Sequence, residues 1–366
     1  MALFVIYILL IAVCIIKRRS KLCFSLLLIY LWILCGWSSG NADWTIYLNR
    51  YENYLDQSGM TEPLFTMMIK LGHSVGADYR HFLIVISAMC LLLIGFTFRK
   101  LSDNPGLPLA LYSIFCFPMD VTQIRFFVAT ALVCFSYVYL YSYIETHEKK
   151  DLIRWIICII LAACNHASVL VLLLILVPIY CKRRTTIFTA LGINVFVIGF
   201  SSATDLFYNL VSSVLSDRKA GIILRVTSRY TMNNIQYVWF KLAISVLGFV
   251  LIYFILYNRK FGNGNCLVKN SKEFQLDLNI IMLVTFGLVT ITTDFYRLYQ
   301  PILLSNYIFY SNNLVATKRG HESKSNIIII VIALIIAIIS IYYLAGRGAN
   351  YQNVMLPLFN NNQLLQ

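Results

Sequence analysis

The sequence predicts an all-α integral membrane protein, and two features of its composition support that prediction. Of its 366 residues, 59% are hydrophobic and only 13% are charged, whereas soluble domains carry about 25% charged residues. Apolar runs recur from Met1 to Ala345, so the hydrophobic residues are spread along the chain and do not form a single anchor. A water-soluble domain is thereby excluded, and we expect no nucleic-acid partner.

Twelve apolar segments are candidate membrane helices, which makes the predicted fold polytopic. They lie near residues 2–16, 22–37, 80–98, 106–118, 126–144, 152–164, 167–180, 186–200, 237–257, 277–292, 300–316 and 326–345. Several are shorter than the roughly 20 residues of a straight crossing, so we expect short or broken helices that line a cavity. All twelve form one predicted membrane domain, 1–366, and the outer loops 38–79 and 201–236 form its extracytoplasmic face.

Basic residues predict the orientation of these helices. If the "KRRSK" loop (17–21) is cytoplasmic, every second loop after it is cytoplasmic too. Those loops hold 19 of the 30 Lys and Arg residues, and 11 lie on the other side. This asymmetry satisfies the positive-inside rule. It predicts an even number of crossings with both termini extracytoplasmic.

The stretch from Leu152 to Tyr180 is compatible with two arrangements. A single helix of its 29 residues would be about 43 Å long. However, basic residues flank both ends, "HEKK" before it and "CKRR" after it. Because one crossing cannot leave both ends in the cytoplasm, two short helices that meet at "CNHAS" (164–168) fit better. That arrangement puts Asn165 and His166 at the tip of a hairpin.

Single arginines distinguish the predicted outer face from the cytoplasmic loops, where basic residues occur in runs. A guanidinium stays charged, and its planar fork of donors suits phosphate or diphosphate oxygens. Polar residues at the edge of a bilayer are costly unless they are paired or hydrated, which favours a functional site. These arginines are Arg50, Arg80, Arg125, Arg225, Arg229 and Arg297.

Two interpretations are open for Arg125, which follows Gln123 at the start of a hydrophobic run. It is either an interfacial arginine whose charge reaches the headgroups or part of an anion-binding site. The adjacent amide and the hydroxyl of Thr122 favour a site. So does Pro118, which we expect to break the preceding helix.

Other polar residues also have a structural and a functional interpretation. His166 either hydrogen-bonds a backbone carbonyl or acts as a general acid or base, since imidazole titrates near neutral pH. Asp294 and Arg297, three apart, either pair locally or belong to a site.

The same choice applies to the outer loop 38–79. There Asp43 and Tyr47 either line the loop or bind substrate, and Glu62 either begins a helix with Pro63 at its first position or belongs to the site. The sequence contains no HExxH, no DxD and no histidine cluster, so we predict neither a metal site nor a cofactor.

Four motifs together resemble those of a known family. The chain contains "NADWTIYLNRY" (41–51), "EPLF" (62–65), "QIRFFVATAL" (123–132) and "AACNHASVLVL" (162–172), with "TDFYRLYQP" (293–301) as a looser match. In this order and spacing they resemble the EpsG/Wzy-type polysaccharide polymerases. The resemblance implies a membrane glycosyltransferase of the GT-C type on the outer face of the bacterial inner membrane.

The resemblance also implies a substrate and partners. Such enzymes join oligosaccharide repeat units carried on undecaprenyl diphosphate, so the expected partners are that lipid-linked oligosaccharide, the lipid bilayer, a chain-length regulator and a flippase. Carried over by position, it implies functional roles for Asp43, Tyr47, Glu62, Arg125, His166 and Arg297.

Combining the resemblance with the charge distribution gives a set of site residues. We expect Arg125, with Arg225, Arg229 or Arg297, to hold the departing diphosphate. His166 or Asp43 would take the proton from the acceptor hydroxyl. Further candidates for binding the diphosphate or the sugars are Tyr47, Glu62, Gln123 and Asp294.

Two other functional classes share the helical membrane fold. A lipid-linked oligosaccharide flippase would place its charges in a central cavity that opens to both sides and would have fewer long outer loops. An O-antigen ligase-like transferase would share the substrate but not the product. The clustering of polar residues on one predicted side favours an enzyme.

The charge asymmetry generates a topology prediction. We expect cysteines introduced at Thr146 and Thr185 to react with membrane-permeant thiol reagents and to resist impermeant reagents in intact cells, because both positions lie in predicted cytoplasmic loops. Labelling of either position from the outside would contradict the hairpin arrangement.

Overall fold

A computed structural model of the chain describes residues 2–54, 62–202, 233–257, 271–291, 293–314, 323–346 and 348–365. Over those ranges the chain is almost entirely helical and contains no named β-strand. The strand-like pairing found there is an isolated antiparallel bridge between Ser38 and Asn362. This confirms the predicted all-α class for the part of the chain that the structure describes.

The helices of the first half vary from 5 to 23 residues in length. They are α1 (Ala2–Ile16), α2 (Lys21–Trp37), α3 (Trp44–Glu52), α4 (Pro63–Ser74), α5 (Tyr79–Leu101), α6 (Gly106–Ile114), α7 (Cys116–Thr122), α8 (Ile124–Thr146) and α9 (Lys149–Ala163), followed by a 3₁₀ helix (Ala167–Ile175) and α10 (Leu176–Tyr180).

The second half of the chain, where the structure describes it, is also built of helices of different lengths. It contains α11 (Arg183–Ser202), α12 (Asn233–Tyr257), α13 (Lys272–Ile281), α14 (Val284–Ile291), a 3₁₀ helix (Thr293–Leu298), α15 (Tyr299–Asn312), α16 (Lys324–Ala345), α17 (Gly348–Asn350), a π-helical turn (Tyr351–Met355) and α18 (Leu356–Asn360).

The chain divides into two compact units. The first is made of Met1–Leu172, Asn258–Ser271 and Leu304–Gln366, and the second of Leu173–Tyr257 and Lys272–Leu303. In the first unit, large side chains from α2, α5, α6 and α8 are fully buried, among them Phe24, Phe98, Tyr112 and Tyr141. The hydroxyl of Tyr141 lies 2.7 Å from Ser305 Oγ, so this buried polar group is hydrogen-bonded.

The outward surfaces of many helices are apolar. Leu9, Leu92, Val195, Phe196 and Tyr253 are each more than half exposed, and large exposed apolar side chains in such numbers are expected of helices that face lipid. Within the described ranges, four helices are long and apolar enough to cross a membrane: Tyr79–Leu101, Ile124–Thr146, Trp239–Tyr257 and Lys324–Ala345. The chain is therefore that of an integral membrane protein.

Each of the twelve predicted membrane segments is mostly helical where the structure describes it. Ala2–Ile16, Lys21–Trp37 and Ala167–Tyr180 are apolar helices too short for a straight crossing, as the sequence led us to expect for several segments. The number of crossings stays a prediction. The predicted outer loop 38–79 contains two helices, α3 and α4, whereas most of the loop 201–236 lies outside the described residues.

Two predicted helix breaks can be compared with the structure. α9 ends at Ala163 and the next helix starts at Ala167, which confirms the break within "CNHAS". The predicted helix 106–118 is divided at Phe115, three residues before Pro118. A proline has no N–H and its ring clashes with the carbonyl four residues earlier. That carbonyl belongs to Ile114, the last residue of α6.

One end of the first unit gathers both ends of the chain. The hydroxyl of Tyr30, in the second half of α2, donates to the carbonyl of Leu3 at 2.6 Å, so the start of α1 lies beside the second half of α2. The C-terminal segment returns to the same end, where Gln363 N–H donates to the carbonyl of Trp37 at 3.0 Å. The "KRRSK" loop joins α1 to α2 at their opposite ends.

A glycine at the α1–α6 contact generates a stability prediction. A Cβ at Gly106 would lie 2.8 Å from the carbonyl oxygen of Cys14 and 2.9 Å from the Cα of Arg18, and backbone atoms cannot move aside cheaply. We expect Gly106→Ala to lower the free energy of unfolding by about 1–3 kcal/mol, measured as a lower thermal unfolding temperature in detergent.

Gly192→Ala is the matched control, because a Cβ there meets no other atom within 4 Å and alanine favours the helix. Equal unfolding temperatures for the two variants would contradict the close approach of α6 to the α1–α2 loop.

Candidate functional site

Three segments of the first unit bring polar residues together. α3 carries Tyr47 and Arg50 three residues apart, which places them on one helix face. Glu62 immediately precedes α4, and Arg125 lies in the first turn of α8. The hydroxyl of Tyr51, on the same side of α3, donates to the carbonyl of Ala77 at 2.6 Å, which fixes α3 against the start of α5.

One carboxylate oxygen of Glu62 joins two arginines. Arg50 Nη1 lies 2.9 Å from Glu62 Oε2, and Arg125 Nη1 donates to the same oxygen. The side chains of Glu62, Arg50 and Arg125 are 10%, 13% and 28% exposed, so the cluster is largely shielded from solvent. The guanidinium of Arg125 is thus paired with a largely buried carboxylate.

Aromatic rings orient both guanidinium groups. The Nε of Arg125 donates to the hydroxyl of Tyr47 at 3.3 Å, and its guanidinium carbon lies 5.5 Å from the centre of the Tyr47 ring. The guanidinium carbon of Arg50 lies 5.3 Å from the centre of the Phe65 ring. Such cation–π contacts hold the planar forks in defined positions.

The charges of this cluster do not cancel. Burial by itself raises the pKa of Glu62, but its hydrogen bonds and charge interactions with Arg125 and Arg50 outweigh that effect and hold the pKa below its usual range. Glu62 is therefore ionised at neutral pH, and two guanidinium groups beside one carboxylate leave a net charge of +1. A guanidinium has five N–H donors, of which Arg125 uses one for Glu62 and one for Tyr47.

His166 lies next to this cluster through two contacts. The N–H of Leu64, at the start of α4, donates to the carbonyl of Cys164 at 3.2 Å. The ring of His166 meets the ring of Phe126, the neighbour of Arg125, edge to face at 5.3 Å between centres. The break after α9 thus brings His166 beside the starts of α4 and α8.

The ring of His166 is held by its own segment. Its Nδ1 lies 2.7 Å from Ser168 Oγ, within hydrogen-bonding distance. The backbone N–H groups of Asn165 and His166 both donate to the carbonyl of Ala162 at 3.0 Å. These bonds close the last turn of α9.

Asp43 sits directly before α3, where its carbonyl accepts a hydrogen bond from Tyr47 N–H at 3.0 Å. The loop that carries it is tied to α7, because Asn41 Nδ2 donates to the carbonyl of Val121 at 3.2 Å. Gln123 lies between α7 and α8. Asp43 and Gln123 each lie two residues after a partner of this hydrogen bond, Asn41 and Val121.

Three buried polar atoms near the cluster have no hydrogen-bond partner among the described residues. They are Arg50 Nε, Gln123 Oε1 and Asn165 Oδ1. Most buried polar atoms in folded proteins are hydrogen-bonded, so the first is an unused donor and the other two are unused acceptors. Both types of group suit a ligand that carries anionic oxygens and hydroxyls.

The remaining sequence-predicted residues belong to other parts of the chain. Asp294 and Arg297 lie on the 3₁₀ helix Thr293–Leu298 of the second unit. Arg225 and Arg229 lie outside the described residues. Arg80 donates to the carbonyls of Gly36 at 3.0 Å and Ser38 at 2.6 Å, so it satisfies carbonyls at the end of α2.

Arg50 belongs to this cluster, although the sequence did not predict a role for it. It appeared among the single outer arginines but was not given a role in the site. The available signal was its position in "NADWTIYLNRY", three residues after Tyr47. Across the described ranges, no group of three or more His, Cys, Asp or Glu side chains is placed to hold a metal ion.

The fold and this cluster define a helical integral membrane protein with a polar, cationic site next to a helix break. The model of the EpsG family matches residues 21–356, and the chain belongs to that family, whose members are Wzy-type polysaccharide polymerases. No curated protein and no solved structure matches the chain.

The electrostatics of Glu62 generate a pH prediction. A carboxyl whose pKa is lowered by folding stabilises the protein at pH values above its unfolded pKa, about 4.3, and this contribution is lost as the pH falls through the lower folded pKa. We expect Glu62→Gln to lower the free energy of unfolding by about 2 kcal/mol at neutral pH. The difference from the native chain should be constant from pH 8 to 5 and shrink below about pH 4.3.

Thermal unfolding in detergent across this pH range measures the effect. Glu52→Gln is the control, because Glu52 is exposed at the end of α3. A Glu62→Gln protein that is as stable as the native one at pH 7 would show that the two arginines do not depend on this carboxylate.

Proposed function

We propose that the protein is an oligosaccharide repeat-unit polymerase at the outer face of the bacterial inner membrane. It transfers a growing glycan from one undecaprenyl diphosphate to the terminal sugar of another lipid-linked unit. The observation that carries this proposal is the pair of arginines held side by side by Glu62, with His166 next to them. Membership of a polysaccharide polymerase family supports it.

In the proposed reaction, a hydroxyl oxygen of the acceptor sugar attacks the anomeric carbon of the donor glycan. The bond between that carbon and the diphosphate oxygen breaks, and the diphosphate keeps the electron pair. The acceptor hydroxyl loses its proton to a base. The products are a glycan longer by one transfer and a free lipid diphosphate.

Arg125 and Arg50 stabilise the departing diphosphate. Negative charge grows on its bridging oxygen as the bond breaks, and donors that are already oriented toward this oxygen stabilise it without reorganisation. Glu62 and Tyr47 hold the guanidinium of Arg125 in place. We assign Glu62 a positioning role, since both of its charged partners are arginines.

His166 accepts the proton of the acceptor hydroxyl. With Ser168 Oγ accepting a hydrogen bond from Nδ1–H, the second ring nitrogen, Nε2, carries the lone pair. Asp43 is the alternative base. Tyr47 offers a ring face to a sugar, and Gln123 Oε1 accepts a hydrogen bond from a sugar hydroxyl.

Residues from other segments of the chain also take part in the proposed function. Arg225, Arg229, Arg297 and Asp294 contribute to holding the lipid-linked substrates. The chain crosses the membrane twelve times in a GT-C-like arrangement with both termini extracytoplasmic, and it works with a flippase and a chain-length regulator. The charge asymmetry of the loops supports this orientation.

Glycan analysis after deletion of the gene tests the function. Loss of polymer with single repeat units retained on their acceptor is the result expected of a polymerase. Loss of the single units as well would indicate a flippase, and retained polymer that is no longer transferred would indicate a ligase.

Arg125 variants expressed in the deletion strain test the diphosphate role. Lysine keeps the charge of Arg125 but lacks the fork, so we expect Arg125→Lys to fail nearly as badly as Arg125→Ala, with activity about 10²–10³-fold lower. Arg80→Lys is the matched control, because Arg80 bonds backbone carbonyls of α2. Full-length polymer from Arg125→Lys would remove the fork from the mechanism.

His166 variants test the base. We expect His166→Gln and His166→Asn to insert normally but to yield single units or very short chains, because losing a general base typically costs about 10²–10⁴-fold in rate. The chain-length distribution on a gel, at matched protein level, is the measurement. Normal chains from His166→Gln would transfer the role to Asp43, and loss of the protein would make the histidine structural.

A further inference from the structure

A groove runs along the contact between α2 and α5 on the outside of the first unit. Its main part has a volume of about 580 Å³, and a second part of about 240 Å³ shares Leu28, Ile29 and Leu92 with it. The exposed fractions of Ile29 and Leu92 are 51% and 64%. The two parts therefore form one continuous apolar channel that opens to the exterior of the helix pair.

Gly95 forms the floor of this groove. The absence of a side chain lets α2 approach closely, since a Cβ there would lie 2.9 Å from Leu28 Cδ2. Phe24 and Phe96 complete the wide part, and Trp32 and Ala88 line the narrow part. A cavity with such a lining suits a hydrocarbon chain and not a sugar.

The wide end of the groove is positively charged. Arg99 and Lys100 line it together with Ser25, and the lining contains no acidic residue. The guanidinium carbon of Arg99 lies 6.0 Å from the centre of the Phe24 ring, which directs the side chain back over the groove. Two cations and a hydroxyl at the mouth of an apolar channel complement a phosphate attached to an acyl chain.

The length of the groove matches one leaflet of a bilayer. From Ala88 to Lys100 is twelve helical residues, or about 18 Å, and half of a hydrocarbon core is about 15 Å. An acyl chain along the groove would therefore end near the middle of the membrane.

The charged end lies far from the arginine cluster of the candidate site. α5 begins at Tyr79, whose ring packs against Trp44 at the start of α3, with 5.1 Å between the ring centres. Arg99 follows twenty residues later on the same helix, about 30 Å along its axis. The groove therefore belongs to the opposite leaflet, and its occupant is not the substrate bound at the site.

We propose that this groove binds an anionic glycerophospholipid of that leaflet. One acyl chain lies along Leu28, Ile29 and Leu92, and the phosphate sits between Arg99 and Lys100. The lipid completes the apolar surface between α2 and α5 and ties the far end of both helices to the headgroup layer. This inference does not depend on the polymerase reaction.

Native mass spectrometry of the full-length protein tests the proposal. The protein is purified in detergent and supplied with phosphatidylglycerol or phosphatidylcholine of equal chain length, and retained lipid is measured for each. We expect preferential retention of phosphatidylglycerol. The double substitution Arg99→Gln with Lys100→Gln neutralises both cations. It should weaken the binding of phosphatidylglycerol roughly 30-fold and leave retention of phosphatidylcholine unchanged.

Two further variants keep the test specific. Lys149→Gln with Lys150→Gln removes a basic pair that does not line the groove and should leave retention unchanged. Leu92→Trp fills the groove but keeps both cations, so it should reduce retention; unchanged retention would show that the lipid sits on a basic surface and overturn the groove. Displacement of phosphatidylglycerol by added polyprenyl diphosphate in the native chain, but not in the doubly neutralised one, would overturn the proposed occupant.

Discussion

A single carboxylate oxygen, Glu62 Oε2, holds the candidate site together. Arg50 and Arg125 come from helices that are far apart in the sequence, and without a negative charge between them they would repel each other in a poorly hydrated region. Because Glu62 immediately precedes α4, it lies two residues before Leu64, whose N–H donates to the carbonyl of Cys164. The ion pair and the helix break are therefore parts of one connected arrangement.

Hydrophobic runs were sufficient to predict the apolar helices, because the requirement for about 20 apolar residues in a crossing acts on each segment separately. They did not predict α3 and α4, which lie in the predicted outer loop 38–79. The break at "CNHAS" was also predictable, since basic residues on both sides of the segment excluded one crossing. The pairing of Glu62 with Arg125 was not predictable from the sequence. It joins positions 63 residues apart, and no sequence period relates them.

Arg80 and Arg125 also show that the sequence does not predict which partners a side chain contacts. Both are single arginines beside aromatic residues in the sequence, yet Arg80 bonds backbone carbonyls of α2 and Arg125 bonds a carboxylate and a phenol. Which partner a guanidinium takes depends on groups supplied by other helices. The local sequence shows only that an arginine lies at the edge of a hydrophobic run. The packing of other helices determines whether that arginine caps a helix or belongs to a site.

The C-terminal segment contacts residues that are synthesised much earlier, so these contacts form after the N-terminal helices. The N–H of Ala42, next to Asp43, donates to the carbonyl of Asn353 at 2.9 Å, and Asn362 Nδ2 donates to the carbonyl of Ile33 at 3.0 Å. Ribosomes synthesise residues 33–42 more than 300 residues before these partners. The loop that carries Asp43 is therefore synthesised long before its partners in the C-terminal segment. Contacts of such high sequence separation form late, and bulky tags fused near Asn362 would interfere with this closure.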